Sequence, residues 1–172
     1  MAQDRAGAAR LARMSAPPPL PVYFAYGSNL DPDQMRVRCP GHRLLCRAIL
    51  HDHALVFRGH DKVWGGAVAT MEPAPGSMVH GVVYEMTPED YVSLDRHQTF
   101  IGPQHAANLY DRVRRTVVLE LNEPLEVETY LLRPRPSGLP SRRYRWALLT
   151  GMRRHSLPAP VIAAIEATPV CD

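Results

Sequence analysis

The residues whose types and spacing carry chemistry begin with Tyr23-Phe24-Ala25-Tyr26-Gly27-Ser28-Asn29-Leu30. A β-branched and aromatic run stops at a glycine, and two small polar residues follow. A strand that ends in such a turn ahead of a helix exposes successive backbone N–H groups, which bind anions such as a carboxylate. Gly27 permits close backbone approach, and Ser28 and Asn29 add polar contacts. On local physics alone, an ordinary strand-to-helix turn competes evenly with this reading. Other groupings say less. Cys39, His42 and Cys46 match no common zinc spacing and lack an evident fourth ligand, so no metal is expected. His51 and His53 share one strand face, better read as half-exposed than as a metal pair. The clusters Arg112-Arg114-Arg115, Arg142-Arg143-Arg145 and Arg153-Arg154 read as solvated faces before a nucleic-acid surface.

Several elements must position these residues. The patterns predict strands at 22–26, 47–57, 67–71, 79–86, 110–121 and 125–132. Asp31 or Asn29 caps a short helix through Gln34, Met35 and Arg36. Thr87-Pro88-Glu89-Asp90 starts another, with Thr as N-cap, Pro at the first helical position and Asp at the third. That helix runs through Tyr91, Leu94 and Asp95, and a loop over 99–109 follows. Helices are predicted at 144–154, with Trp146, Leu148, Leu149 and Met152, and at 160–167. Strands dominate and helices intersperse irregularly, which is the pattern of an α+β fold.

Length and composition set the frame. The chain has 172 residues, 45% of them hydrophobic and 22% charged, with a net charge of +3. That is ordinary for one globular domain and excludes a coiled coil or a largely disordered chain. No apolar run approaches the roughly 18 residues of a membrane span, so no membrane partner is expected. Of the 20 basic residues only Lys62 is a lysine. Three cysteines without framework spacing predict a reduced, cytoplasmic chain. Residues 1–20, rich in Ala, Arg and Pro and without an apolar h-region, are expected to be a disordered tail, with Met14 an alternative start. The domain then spans 21–172.

The segment 24–30, FAYGSNL, resembles the signature of the γ-glutamylcyclotransferase-like (AIG2-like) family. Further blocks resemble that family in order: Trp64-Gly65-Gly66-Ala67-Val68-Ala69-Thr70, Gly81-Val82-Val83-Tyr84, Leu94-Asp95, Tyr110-Asp111-Arg112-Val113, Pro140-Ser141 with Tyr144, and Gly151 with Leu157-Pro158. The resemblance covers about residues 22–168 and implies a small β-barrel with helices packed around it. It also implies a reaction that needs no cofactor. The α-amine of a γ-glutamyl group attacks its own γ-carbonyl, giving 5-oxoproline and releasing the amine. Such a site must hold the α-carboxylate, bend the chain so that amine and carbonyl meet, and move a proton. The resemblance implies substrate contacts at Tyr23, Tyr26, Gly27, Ser28, Asn29 and Leu30. It puts Tyr144 beside the acid/base, hydrogen-bonded to residue 98 or to substrate. Tyr110 is read as lining the pocket or as strand core, and Trp64 as packing.

One departure bears on catalysis. Counting from Leu94-Asp95, the family's acid/base Glu falls at Gln98. A carboxamide has the shape of a carboxylate but does not titrate, and loss of a general acid/base removes on the order of 10²–10⁴-fold in rate. Three explanations stand open: a deliberate Glu→Gln variant; a natural relative that binds γ-glutamyl ligands without cyclising them; or proton transfer by another group. Asp95 and His97 are near, although a neighbour on a helix usually points elsewhere. Phe100, His105 and Asn108, in the loop after position 98, either select the leaving amine or only hold the loop. The alternatives are thus a cyclising enzyme with a small-molecule substrate, a non-catalytic carboxylate-binding module on the same fold, and an Arg-rich nucleic-acid binder. Only the last predicts strongly salt-dependent binding of nucleic acid. The sequence sets neither the leaving amine nor the oligomeric state.

Overall fold

The computed structural model describes residues 21–172, so the tail expected over 1–20 lies outside the described residues. Five strands close into a barrel in the order β1-β3-β2-β4-β5. They are β1 (Val22–Ala25), β2 (Arg43–Asp61), β3 (Gly66–Glu85), β4 (Tyr110–Leu119) and β5 (Pro124–Leu132). The helices are α1 (Pro32–Arg38), α2 (Pro88–His97), α3 (Arg142–Arg154) and α4 (Ala159–Glu166), with one 3₁₀ turn at Ser28–Leu30. The α+β barrel implied by the resemblance is the fold observed. None of the described helices is long and apolar enough to cross a membrane.

The predicted strands 67–71 and 79–86 are one strand. β3 pairs with β2 from Asp61↔Gly66 back to Arg43↔Glu85. The Pro- and Gly-rich stretch that reads as a break is absorbed by a shift in register. His51 pairs with Met78 and His53 with Pro73, so β3 takes five steps where β2 takes two. Asp52 adopts φ 56° there, and its carboxylate accepts the Gly76 N–H at 2.9 Å. His51 and His53 therefore flank a bulge rather than share a flat face.

β1 closes the barrel, pairing antiparallel with β3 and in parallel with β5 at Tyr23↔Glu128. Its residues alternate between two cores. Phe24, and Tyr26 just past the strand, pack inside the barrel with Leu50, Val83 and Val117. Tyr23 and Ala25 pack under the helices with Leu94, Leu148 and Met152. α3 reaches the turn after β1 because of Gly151, where a Cβ would lie 2.4 Å from the Leu30 carbonyl carbon. A side chain there would push helix and turn apart.

The helix starts follow their predicted chemistry. Asp31, not Asn29, caps α1, accepting from Asp33 N–H at 3.0 Å. Thr87 and Asp90 form a reciprocal capping box on α2. Ser141 caps α3 by accepting the Tyr144 N–H at 3.1 Å, and its hydroxyl donates to the Trp64 carbonyl. That tie joins α3 to the β2–β3 turn on the wall of the site.

Candidate active site

An open cavity of about 230 Å³ lies where β1 ends. Its wall includes Tyr23, Tyr26, Gly27, Ser28 and Asn29, all anticipated, together with Gln98, Tyr110 and Tyr144 from later in the chain. Leu30 is the exception. Its side chain is fully buried under the helices, and its N–H donates to the Gly27 carbonyl at 2.9 Å. The contact implied for Leu30 is therefore corrected: closing the 3₁₀ turn draws that residue into the core.

The turn is held from several sides. A Cβ on Gly27 would lie 3.3 Å from the Tyr144 hydroxyl, so only glycine lets the backbone pass this close without displacing it. The Asn29 amide donates to the Tyr23 hydroxyl at 2.9 Å and accepts from Arg38 Nη1 at 2.6 Å. Asn29 is 3% exposed, and both ends of its amide are engaged within the wall. It positions Arg38, which also lines the cavity. The Tyr144 hydroxyl accepts the Ala69 N–H at 3.0 Å. Of the two partners expected for the Tyr144 hydroxyl, residue 98 or substrate, Gln98 is not hydrogen-bonded to it, and the ring stands edge-on to Trp64, with centroids 5.1 Å apart.

Gln98 ends α2, with φ −88° and ψ 0°, and Thr99 follows at φ 49°. The left-handed step turns the chain into the 99–109 loop and leaves position 98 on the cavity wall. His97 lines the cavity too, although a helix neighbour was expected to point away. Its helix ends there. Burial, and then the charge of Arg38, hold the His97 imidazole below its ordinary value. Asp95 is directed away from the cavity. It accepts from the Tyr130 hydroxyl and pairs with Arg112 at 3.0 Å.

The tyrosines of the cavity are donors rather than bases. Burial raises the hydroxyls of Tyr23, Tyr26, Tyr110 and Tyr130, and pushes Tyr144 up to about 12. Each therefore keeps its proton at neutral pH. Asp61 also borders the cavity, where Oδ1 accepts the N–H groups of Val63 and Trp64 at 2.8 and 2.9 Å. The sequence offers His97 as a possible proton carrier and Trp64 as packing, and singles out none of Arg38, Asp61 and Tyr130. Only Arg38 carried a faint signal, as a basic residue on α1 without an acidic partner one turn away.

The loop residues hold the loop itself. Asn108 accepts from Ile101 N–H at 2.8 Å and donates to the Gly102 carbonyl at 2.7 Å. Phe100 packs against Tyr130, and His105 accepts from Ala107 N–H at 3.2 Å. Thr99 and Leu109, at the two ends of the loop, are the residues that reach the cavity. The arginine clusters mainly join elements: Arg112 to Asp95, Arg153 to Glu166, Arg154 to Asp33. Among the described residues no cluster of three or more His, Cys, Asp or Glu is placed to hold a metal.

Residues 23–156 match the model of the family described as "Gamma-glutamyl cyclotransferase, AIG2-like". The chain belongs to this γ-glutamyl cyclotransferase family. It is 29% identical over 141 residues to the γ-glutamylcyclotransferase of Homo sapiens, covering 80% of this chain and 72% of that one. The same figures hold for the protein of that name from Mus musculus. A solved γ-glutamyl cyclotransferase superposes with a TM-score of 0.82 at 28% identity, covering 88% of this chain and 89% of the other. In this member of the cyclotransferase family, the turn at 26–29 and the end of α2 both line the cavity.

Proposed function

We propose that this chain cyclises a γ-glutamyl compound to 5-oxoproline and releases the free amine, without a cofactor. The observation that carries this reading is one cavity walled by the 26–29 turn, Tyr110, Tyr144 and position 98. The α-carboxylate lies against Gly27–Asn29, with Arg38 supplying charge. Held there, the chain bends so that the α-nitrogen meets the γ-carbonyl carbon. The nitrogen–carbon bond of the ring forms, and the bond from that carbon to the leaving nitrogen breaks. The α-ammonium gives up one proton to become a nucleophile and a second as the ring forms, and both end on the departing nitrogen, which leaves as an ammonium. Tyr144 and Tyr110, both protonated, donate to the oxygen on which charge develops.

Gln98 cannot carry that proton, whereas His97 on the same wall can. Its lowered basicity leaves it neutral at neutral pH, the form that accepts a proton. Gln98 then acts as an uncharged hydrogen-bonding partner beside it. A second reading, a module that binds γ-glutamyl groups without cyclising them, is favoured by the carboxamide at 98. The unpaired cysteines Cys39, Cys46 and Cys171 support a reducing, cytoplasmic setting.

The test is 5-oxoproline release from a panel of γ-glutamyl amines and dipeptides by this chain and by Gln98→Glu. Slow turnover by this chain and faster turnover by Gln98→Glu is the expected result. If both proteins bind γ-glutamyl ligands and neither releases 5-oxoproline, the binding-module reading replaces this one.

A further inference from the structure

Beyond the mouth of the cavity lies a second recess of about 440 Å³ that shares Arg38, Val63, Trp64 and His97 with it. The two form one continuous depression, from the buried turn to the surface of α1 and α3. Three large apolar side chains stand exposed around the outer part: Val37 at 82%, Val63 at 73% and Trp146 at 64%. They belong to three different elements and converge on Trp64. Apolar groups gathered this way beside a polar cavity mark a binding surface.

The charge around the recess has a sign. Asp33 is occupied by Arg36 at 3.1 Å and Arg154 at 2.7 Å, and Asp31 caps α1. Arg143 lies over the Trp64 ring at 5.3 Å, donating at 3.3 Å to the Val63 carbonyl. Arg38 donates to Asn29. Neither guanidinium meets a carboxylate among the described residues. On the same wall, Gln34 Oε1 is buried without a partner among the described residues. The surface thus offers two aromatic rings, two aliphatic side chains and two cations.

We propose that this recess is the subsite for the departing amine, and that it takes an amine that carries both an aromatic ring and a carboxylate. The inference rests on the cyclisation reading of the inner cavity. The γ-glutamyl group fills the inner cavity, so the bond to be broken lies at its mouth, beside His97. What departs must then lie across Trp64 and Trp146, with its anionic group on Arg143. An aliphatic polyamine fits poorly, because its charge repeats that of the two arginines.

Both tryptophans of the chain line the recess, so their fluorescence reports its occupancy without any turnover. The experiment titrates the full chain with γ-glutamyl-phenylalanine, γ-glutamyl-alanine, γ-glutamyl-phenethylamine and 5-oxoproline, then repeats this with Trp146→Ala and Arg143→Gln, using calorimetry for the former. The phenylalanine compound is expected to bind about tenfold more tightly than the alanine compound. Trp146→Ala should erase that preference, and Arg143→Gln should weaken the phenylalanine compound but not the phenethylamine one. 5-Oxoproline, which occupies the inner cavity alone, controls for folding. Equal affinity for the phenylalanine and alanine compounds, or a preference that survives Trp146→Ala, overturns the subsite while leaving the cyclisation reading in place. No binding of 5-oxoproline or of any γ-glutamyl compound removes both.

Discussion

At the turn 27–30, Leu30 is sealed into the core, Gly27 passes against Tyr144, and the Asn29 amide is engaged at both ends. Across the cavity, His97 and Gln98 come off a helix end, and their side chains hydrogen-bond none of the described residues. The binding wall is thus determined many times over by packing, and altering it means disturbing the fold. The wall to which we assign proton transfer depends on one or two side chains that the fold hardly constrains. A carboxamide has the shape of a carboxylate, and no hydrogen bond from the Gln98 side chain to the described residues would be lost on exchanging one for the other.

Substitutions on the two walls should therefore differ in kind. The largest effect belongs to the proton wall. Gln98→Glu should raise the rate of 5-oxoproline release by about 10²-fold with little change in the urea midpoint of unfolding. An equal rate in the two proteins would break the comparison. Next comes the binding wall. Gly151→Ala should lower stability by about 1–3 kcal/mol, read from urea denaturation, because its Cβ meets Leu30 backbone. A neutral result would mean that α3 yields and that the turn is not held from beneath.

Asn29→Ala leaves the buried Tyr23 hydroxyl and Arg38 without their shared partner. It should cost about 1–3 kcal/mol of stability and raise KM more than it lowers kcat. His97→Gln should lower kcat about 10²-fold in this chain and change little in the Gln98→Glu background, where a carboxylate has taken over. The smallest effect is in pH. If His97 carries the proton as proposed, its neutral form is the active one and its affinity for protons is lowered, so activity should fall with acidification only below its ordinary value of about 6.5. In Gln98→Glu the acid limb should move toward the carboxylate range, about 4.3. An acid limb that persists in His97→Gln would assign it to another group, with Asp61 the next candidate on the wall.

Local chemistry made much of the molecule legible in the chain. The glycine stop after β1, the Thr87–Asp90 box and the alternation along β4 and β5 are short-range signals, and each element formed where its residues predicted. The Pro-rich stretch in β3 misled because a partner strand can absorb extra residues by a shift in register, which periodicity does not encode. The turn at 26–29, Tyr110, Tyr144 and position 98 were recognised through ordered motifs and do meet in one cavity.

What only the tertiary structure decided is which neighbours face inward. Leu30 turned from the cavity because α3 packs on it through Gly151, 121 positions further along. Arg38 turned toward the cavity because Asn29 holds it, and His97 because α2 ends there. Residue type sets what a side chain can do, and strand and helix periods set which face it shares. Whether that face meets a cavity, a core or solvent depends on contacts between segments far apart in the chain, where spacing in sequence carries no record of distance in space.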